Sequence, residues 1–149
     1  MWKNIKFFEE NIIFTAAALD TAAMDAGATA PVISDGGKKI TFTTQQMKNL
    51  GDQAVLTYTV SNESTNYNAQ FAEKAVVCKA DTEAGTTQDD LDTYLTLTNG
   101  TALDNAVIEA GGSKENTLTV ALKQSYAGED TKTFTYVCTI DATAVEATN

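Results

Sequence analysis

Apolar and polar residues alternate with a period of two through most of the chain. The alternation is clearest from Lys132 to Asp141, where Phe134, Tyr136 and Cys138 share one face and threonines take most of the other. Because successive side chains of a β-strand point to opposite faces, this pattern predicts a half-buried antiparallel strand. The same pattern predicts strands at Lys39 to Thr43, Ala54 to Val60, Ala75 to Lys79, Tyr94 to Thr98, Asn116 to Lys123 and, more weakly, Thr143 to Ala147.

Turn-forming stretches separate these runs at spacings typical of all-β domains. They lie at Ser34 to Gly37, Asn49 to Asp52, Ser61 to Asn68, Asp81 to Asp92, Asn99-Gly100 and Gly111 to Ser113. Asn99-Gly100 is expected to form a tight hairpin turn, because both residue types tolerate a positive φ. The chain is therefore expected to be all-β, a jelly-roll or immunoglobulin-like antiparallel β-sandwich.

The first thirty residues are expected to form an N-terminal arm, ahead of a sandwich domain at 31–149. A heptad-like spacing typical of an amphipathic helix runs through Trp2, Ile5, Ile12, Ala16 and Leu19. Asn11 to Thr15 is also rich in strand-forming residues, and periodicity alone does not separate the two structures in so short a run. We favour a strand here and a short helix at Ala22 to Gly27. Pro31 marks the step into the sandwich, because the residue before a proline is pushed towards extended geometry.

Charge and composition exclude most familiar chemistry. The 149 residues carry 20 acidic and 10 basic side chains, all of the basic ones lysine, for a net charge of −10, and there is no histidine. Serine or cysteine nucleophiles activated by histidine and His-ligated catalytic zinc are therefore excluded. We expect no enzyme and no cofactor. Without arginine, and with this negative charge, nucleic acid is a poor partner, and no apolar run approaches the ~18 residues needed for membrane insertion.

Two oxidation states are compatible with the sequence around Cys78 and Cys138. The two cysteines form one disulfide in an oxidising compartment or two buried thiols in a reducing one. If joined, they close a loop of ~60 residues, which the chain-entropy model values at roughly 4 kcal/mol.

The motifs that could form a binding or modification site also have ordinary structural explanations. Asp89, Asp90 and Asp92 could bind Ca²⁺ through oxygen ligands, but Thr87 and Asp90 also fit the pattern that caps a helical turn. We favour the cap and predict no metal. The sequons at Asn62 and Asn99 are expected by chance in a chain so rich in serine and threonine.

Two motifs carry a resemblance to a known family. Asn11 to Asp20, read as N-x-x-F-x-A-x-x-L-D, resembles the start of mature proteins of the TasA/camelysin type, the secreted biofilm-fibre family of Gram-positive bacteria. Leu50-Gly51-Asp52, the strand ending at Val60 and Ser61 to Ser64 resemble a second pattern of that family. Ala17 and Ala18 stand where the family usually has Gly-Thr. The resemblance implies a secreted subunit, at the cell surface or in an extracellular matrix, whose N-terminal strand completes the sheet of the next subunit.

The apolar arm makes self-assembly the first functional hypothesis. An extended segment can add to the open sheet of a neighbouring copy, and here that donor would run from Lys3 to Thr15. Its interface residues would be Phe7, Phe8, Ile12, Ile13 and Phe14. The expected partners are other copies of the chain, with cell-wall or matrix components as further candidates.

The sequence is also compatible with two other functions. One is a monomeric adhesive or carbohydrate-binding module that uses Tyr67, Tyr94 and Tyr126. The other is an unexported virion structural protein, if Met1 is the native start rather than the replacement of a removed export signal.

Overall fold

The computed structural model describes residues 11–21, 28–124, 132–140 and 143–146. The helix predicted at Ala22 to Gly27 lies outside these residues. Within them there is one α-helix, α1 (Gln88–Tyr94), with short 3-10 turns at Asp35–Gly37 and Thr82–Ala84. The strands are β1 (Ile12–Thr21), β2 (Thr29–Ser34), β3 (Lys39–Thr43), β4 (Gln53–Asn62), β5 (Tyr67–Gln70), β6 (Val76–Ala80), β7 (Leu95–Asn99), β8 (Val107–Ile108), β9 (Ser113–Leu122), β10 (Thr135–Ile140) and β11 (Thr143–Glu146).

The strands form three sheets, in which every pairing is antiparallel. Sheet I has the order β1-β4-β9-β7, sheet II the order β2-β3-β10-β6, and sheet III the order β11-β5-β8. The alternation read from the sequence agrees with burial, since β4 buries every second residue from Ala54 to Val60. The predicted all-β, sandwich-like fold is confirmed.

Sheets I and II supply one shared hydrophobic core. In sheet I, the rings of Phe14 and Tyr58 meet edge to face with centroids 5.5 Å apart. In sheet II, Phe42 stacks on Tyr136 with centroids 5.2 Å apart. All four side chains are at most 2% exposed and belong to a single buried cluster. Aromatic residues from both sheets therefore fill the interior, each contributing a large apolar area.

The N-terminal arm is in part a strand of the sandwich itself. The strand favoured for Asn11 to Thr15 is confirmed, and β1 pairs with β4 along its whole length. Because β2 begins at Thr29 and pairs with β3, residue 30 does not separate two units in the described chain. Pro31 lies inside β2, an edge strand, where the missing N–H of a proline is tolerated.

The hairpin predicted at Asn99-Gly100 is wrong. Neither residue has a positive φ, and β7 pairs with β9 only after the chain has passed through β8. Gly100 instead packs closely against β9, where an added Cβ would overlap the side-chain oxygen of Asn116 and lie 3.0 Å from the Thr117 carbonyl oxygen. The turn predicted at Ser61 to Asn68 runs into β5 at its end, and β8 was not predicted.

No helix among the described residues is long and apolar enough to cross a membrane.

Candidate assembly site

A β-bulge at Thr15 sets which side chains of β1 face the core. Phe14 pairs with Val60 and Ala16 with Thr59, so Thr15 is an extra residue without a partner in the ladder. The core-facing positions change at this point from even to odd numbers, and Ala17 and Leu19 pack against the core after the bulge. This shift explains why the apolar spacing of the segment resembles that of a helix.

The structure places three of the five predicted interface residues within their own subunit. Ile12 and Phe14 are each 2% exposed in the shared core, and Ile13 is half-buried beside Gly37. Ile12 and Phe14 are therefore core residues of this fold, each contributing on the order of 1.5–3 kcal/mol by burial. Phe7 and Phe8 lie outside the described residues.

The outer edge of β1 is covered at its beginning. The Glu63 N–H donates to the Asn11 carbonyl, and the alternation of antiparallel pairs then turns the backbone groups of Ile12 away from β4. The Nζ of Lys38 donates to the Ile12 carbonyl oxygen at 2.8 Å. Strand β1 also contacts β2, β3 and the turn at Asp35–Gly37, so sheets I and II meet along this side.

The opposite side of the sandwich, at β6 and β7, is more open. These two edge strands belong to different sheets, and α1 contacts both of them. The Leu95 N–H donates to the Leu91 carbonyl of α1, and the Ala80 N–H donates to the side-chain oxygen of Gln88 at 3.0 Å. The helix thus occupies one end of the gap between the two edges.

Beyond α1, the backbone of β7 faces outwards at alternate residues. The Lys123 N–H donates to Tyr94 and the Gly100 N–H donates to Thr117, both across the ladder with β9. By antiparallel alternation, the N–H and C=O groups of Leu97 and Asn99 point away from β9. Among the described residues, β9 is the only strand that pairs with β7. This stretch of edge can accept a further strand.

A cavity of about 260 Å³ lies between these edges. Its lining combines apolar side chains with polar groups and with charged groups of both signs. The lining residues are Cys78, Gln88, Leu91, Asp92, Leu95, Leu97, Lys123 and Tyr136. Burial, and secondarily the charge of Asp92, raise the pKa of Tyr136 well above its ordinary value. The tyrosine is therefore a neutral wall of the cavity at physiological pH.

Cys78 and Cys138 are joined in the structure. Their sulfur atoms are 1.98 Å apart, and the two residues lie directly opposite each other in the β6–β10 ladder. The Asp81 N–H donates to the Thr135 carbonyl, which by alternation makes the cysteines a non-hydrogen-bonded pair, the closely spaced class. The disulfide fixes edge strand β6 to its only ladder partner among the described residues, β10.

The helix cap favoured at Thr87 and Asp90 is present at the start of α1. The Asp90 N–H donates to the Thr87 hydroxyl at 3.1 Å, so Thr87 caps α1. Asp90 also pairs with the Nζ of Lys132 at 3.0 Å. In the described part of the chain, no group of three or more acidic or cysteine side chains is placed to hold a metal ion.

The two sequons differ in accessibility. Asn62 is 1% exposed, and its side-chain amide donates to the carbonyls of Tyr67 and Ile108 and accepts from the Ser64 N–H. It therefore joins the end of sheet I to sheet III. Asn99 is half-buried, and Thr101 of its sequon is exposed.

The tyrosines considered for carbohydrate contact do not form a surface platform. Tyr67 and Tyr94 are half-buried against the core, and Tyr126 lies outside the described residues. A wider groove of about 650 Å³ crosses the outer face of sheet II, where Lys39, Lys79 and Glu83 line it together with Thr41 and Val77. Its lining contains no aromatic side chain and mixes both charges.

Sequence reasoning did not find the cavity between β6 and β7. It is lined by residues from four separated segments, and none of them forms a motif with its sequence neighbours. The one signal available was the Thr87 and Asp90 pattern, which predicted the start of the helix that bridges the two edges.

The chain matches no protein-family model, no curated protein and no solved structure.

Proposed function

We propose that the protein is an extracellular structural subunit that assembles with other copies of itself through its leading segment, residues 1–10. The observation that carries this is the position of β1. It is the first described strand, it lies at the edge of sheet I, and the segment before it is rich in apolar residues. Exposure of these apolar side chains to water is unfavourable, and an extended segment of this kind can bury them by adding as a strand to another sheet.

The donor is narrower than the stretch from Lys3 to Thr15 expected from sequence. Ile12 and Phe14 already fill their own core, and their removal would open a cavity there. Phe7 and Phe8, which precede β1 in the chain, remain as the donor residues.

The disulfide supports a location outside the reducing cytosol, since such bonds persist in oxidising compartments. The amino-acid composition of the chain supports a structural role rather than catalysis. There is no histidine in the chain, and within the acidic cluster the Asp90 backbone N–H is capped by Thr87 while the Asp90 carboxylate pairs with Lys132.

Removal of residues 1–10 alone tests the proposal, because β1 and its core contacts stay in place. The truncated chain should keep the melting temperature of the full chain and should remain monomeric where the full chain forms fibres. Sedimentation velocity and negative-stain electron microscopy would measure this. Two full-length double variants test whether assembly needs the apolar side chains or only the presence of the segment. Phe7→Ser with Phe8→Ser should prevent assembly, whereas the control Glu9→Gln with Glu10→Gln should not.

Two results would overturn the proposal. One is fibre formation by the truncated chain at the same concentration as the full chain. The other is a full-length protein that stays monomeric at every concentration tested.

A further inference from the structure

We infer that the acceptor for the leading segment is the open edge of β7 in a second copy of the chain, together with the cavity between β7 and β6. This inference rests on the proposed function and deepens it by naming the partner surface. The surface is defined by the outward backbone groups of Leu97 and Asn99 and by the apolar wall of the cavity, and we call it the β7 edge.

The β7 edge exposes apolar area beside backbone groups that pair with no further strand in the described part of the chain. Leu97 is 37% exposed and lines the cavity, and Leu95 lies deeper in the same wall. An added strand would bury both kinds of surface at once, because its backbone would pair with Leu97 and Asn99 while alternate side chains entered the cavity. A cavity of about 260 Å³ has room for a phenyl ring, since an apolar cavity of ~150 Å³ already binds benzene.

The leading segment has the alternation that this edge requires. Ile5 and Phe7 are two residues apart and share one face of an extended chain, with Lys6 between them on the other face. The β7 edge offers the same pattern, since Leu95 and Leu97 face the cavity and Thr96 faces solvent. An added strand would therefore place Ile5 and Phe7 beside two leucines, with Lys6 and Phe8 on its other face.

The register of sheet I shows that Phe7 must come from another copy. One row across the sheet contains Leu19, Leu56, Leu118 and Asn99. Ile12 lies about 20 Å along the strands from this row, and Leu97, which lines the cavity, lies about 7 Å beyond the row in the same direction. With about 14 Å across the sheet from β1 to β7, Ile12 is roughly 30 Å from Leu97. Phe7 is five residues from Ile12, so the chain between them extends at most ~18 Å, and the Phe7 ring falls short of the cavity beside Leu97 in its own subunit.

This geometry also determines the form of the assembly. The donor leaves from the β1 edge of sheet I, and the acceptor is the β7 edge at the other side of the same sheet. Each contact joins two different surfaces, which leaves one donor and one acceptor unused at the two ends of any chain of subunits. Such heterologous contacts extend into an open filament unless the rotation between subunits closes a ring.

A mixing experiment with full-length Leu97→Lys and the chain that lacks residues 1–10 tests the acceptor. A lysine at an edge position opposes strand addition, and Leu97 is exposed enough to accept it. The variant should raise the concentration needed for assembly by at least about tenfold, as expected when one buried leucine contact is lost. The control Val32→Lys changes an exposed valine on β2 and should assemble as the unmodified chain does.

Below the raised concentration, neither partner should form fibres alone, but their equimolar mixture should give a one-to-one dimer, because one intact donor and one intact acceptor remain. A benzophenone side chain at position 7 of the Leu97→Lys variant should then cross-link to β7 or β6 of the truncated partner. The inference is overturned if Leu97→Lys keeps its fold by circular dichroism and assembles as the unmodified chain does, or if the cross-link maps elsewhere. Those outcomes leave the proposed function intact, whereas assembly of the truncated chain alone overturns the function itself.

Discussion

A Cβ atom placed on Gly37 would lie 2.6 Å from the Cβ of Ile13. This contact joins the 3-10 turn at Asp35–Gly37 to the beginning of β1. Gly37 also has a φ of +91°, a region that other residues rarely occupy. The close approach of backbone and side chain, rather than pairing with β4 alone, therefore helps to position β1.

Gly37→Ala should destabilise the protein by about 2–4 kcal/mol. The cost of a left-handed backbone is ~1–2 kcal/mol, and overpacking against Ile13 adds ~1–2 kcal/mol, in the lower part of the usual range for overpacking. Gly36→Ala is the matched control, because Gly36 has a φ of +65° but open space around it, and it should cost only about 1–2 kcal/mol. Urea unfolding would measure both, and equal losses would contradict the role assigned to the contact.

Loss of the disulfide should cost about 4 kcal/mol. Cys78 and Cys138 are 60 residues apart, and the chain-entropy model gives this value for a loop of that size. The double variant Cys78→Ser with Cys138→Ser should show it as a lower denaturation midpoint, and dithiothreitol should produce a comparable loss in the unmodified chain. A difference below about 1 kcal/mol would show that the bond does not restrain the unfolded state as argued.

Stability should fall as the pH rises above about 10. The pKa of Tyr136 is raised in the folded protein, chiefly by burial and then by Asp92, so the unfolded chain loses this proton first. The stabilisation that Tyr136 contributes is complete at pH values below the pKa of this tyrosine in the unfolded chain. It is lost as the pH rises towards the higher pKa of the tyrosine in the folded protein. The slope from one such tyrosine is up to ~1.4 kcal/mol per pH unit.

Tyr136→Phe provides the comparison for this pH dependence. Urea unfolding between pH 8 and pH 11 should show a shallower decline for the variant than for the unmodified chain. Tyr58, whose pKa is also raised by burial, remains in the variant and keeps part of the decline. Identical slopes for the two proteins would exclude Tyr136 as the titrating group.

Asn62→Ala should destabilise the protein by about 2–4 kcal/mol. The side chain is 1% exposed and donates to two backbone carbonyls of sheet III, at 2.8 Å and 3.0 Å. Its removal leaves buried polar groups with fewer partners, each costing ~1–3 kcal/mol. Asn66→Ala, at an exposed position of the same turn, should change stability by less than ~0.5 kcal/mol. Thermal melts of the two variants would separate these expectations, and similar melting temperatures would argue against the role of Asn62.

Local patterns predicted the strands well and their connections less well. The strands that carry the core alternate clearly, as β4 does from Ala54 to Val60, because one face of each is buried. The hairpin at Asn99-Gly100 was predicted wrongly because the pair satisfies the local rule for a tight turn. In the structure, Gly100 instead packs closely against the side chain of Asn116. The bulge at Thr15 concealed the alternation of β1 by moving its core positions from even to odd.

The sequence by itself determined an all-β fold, an acidic surface without histidine chemistry, and an apolar leading segment, because period, charge and composition depend only on neighbouring residues. The tertiary structure decided that Ile12 and Phe14 belong to their own core and that Cys78 meets Cys138. It also decided that β6 and β7 border a cavity with an open edge. These relationships join residues far apart in the chain, and strand order and register, which local patterns do not encode, bring them together.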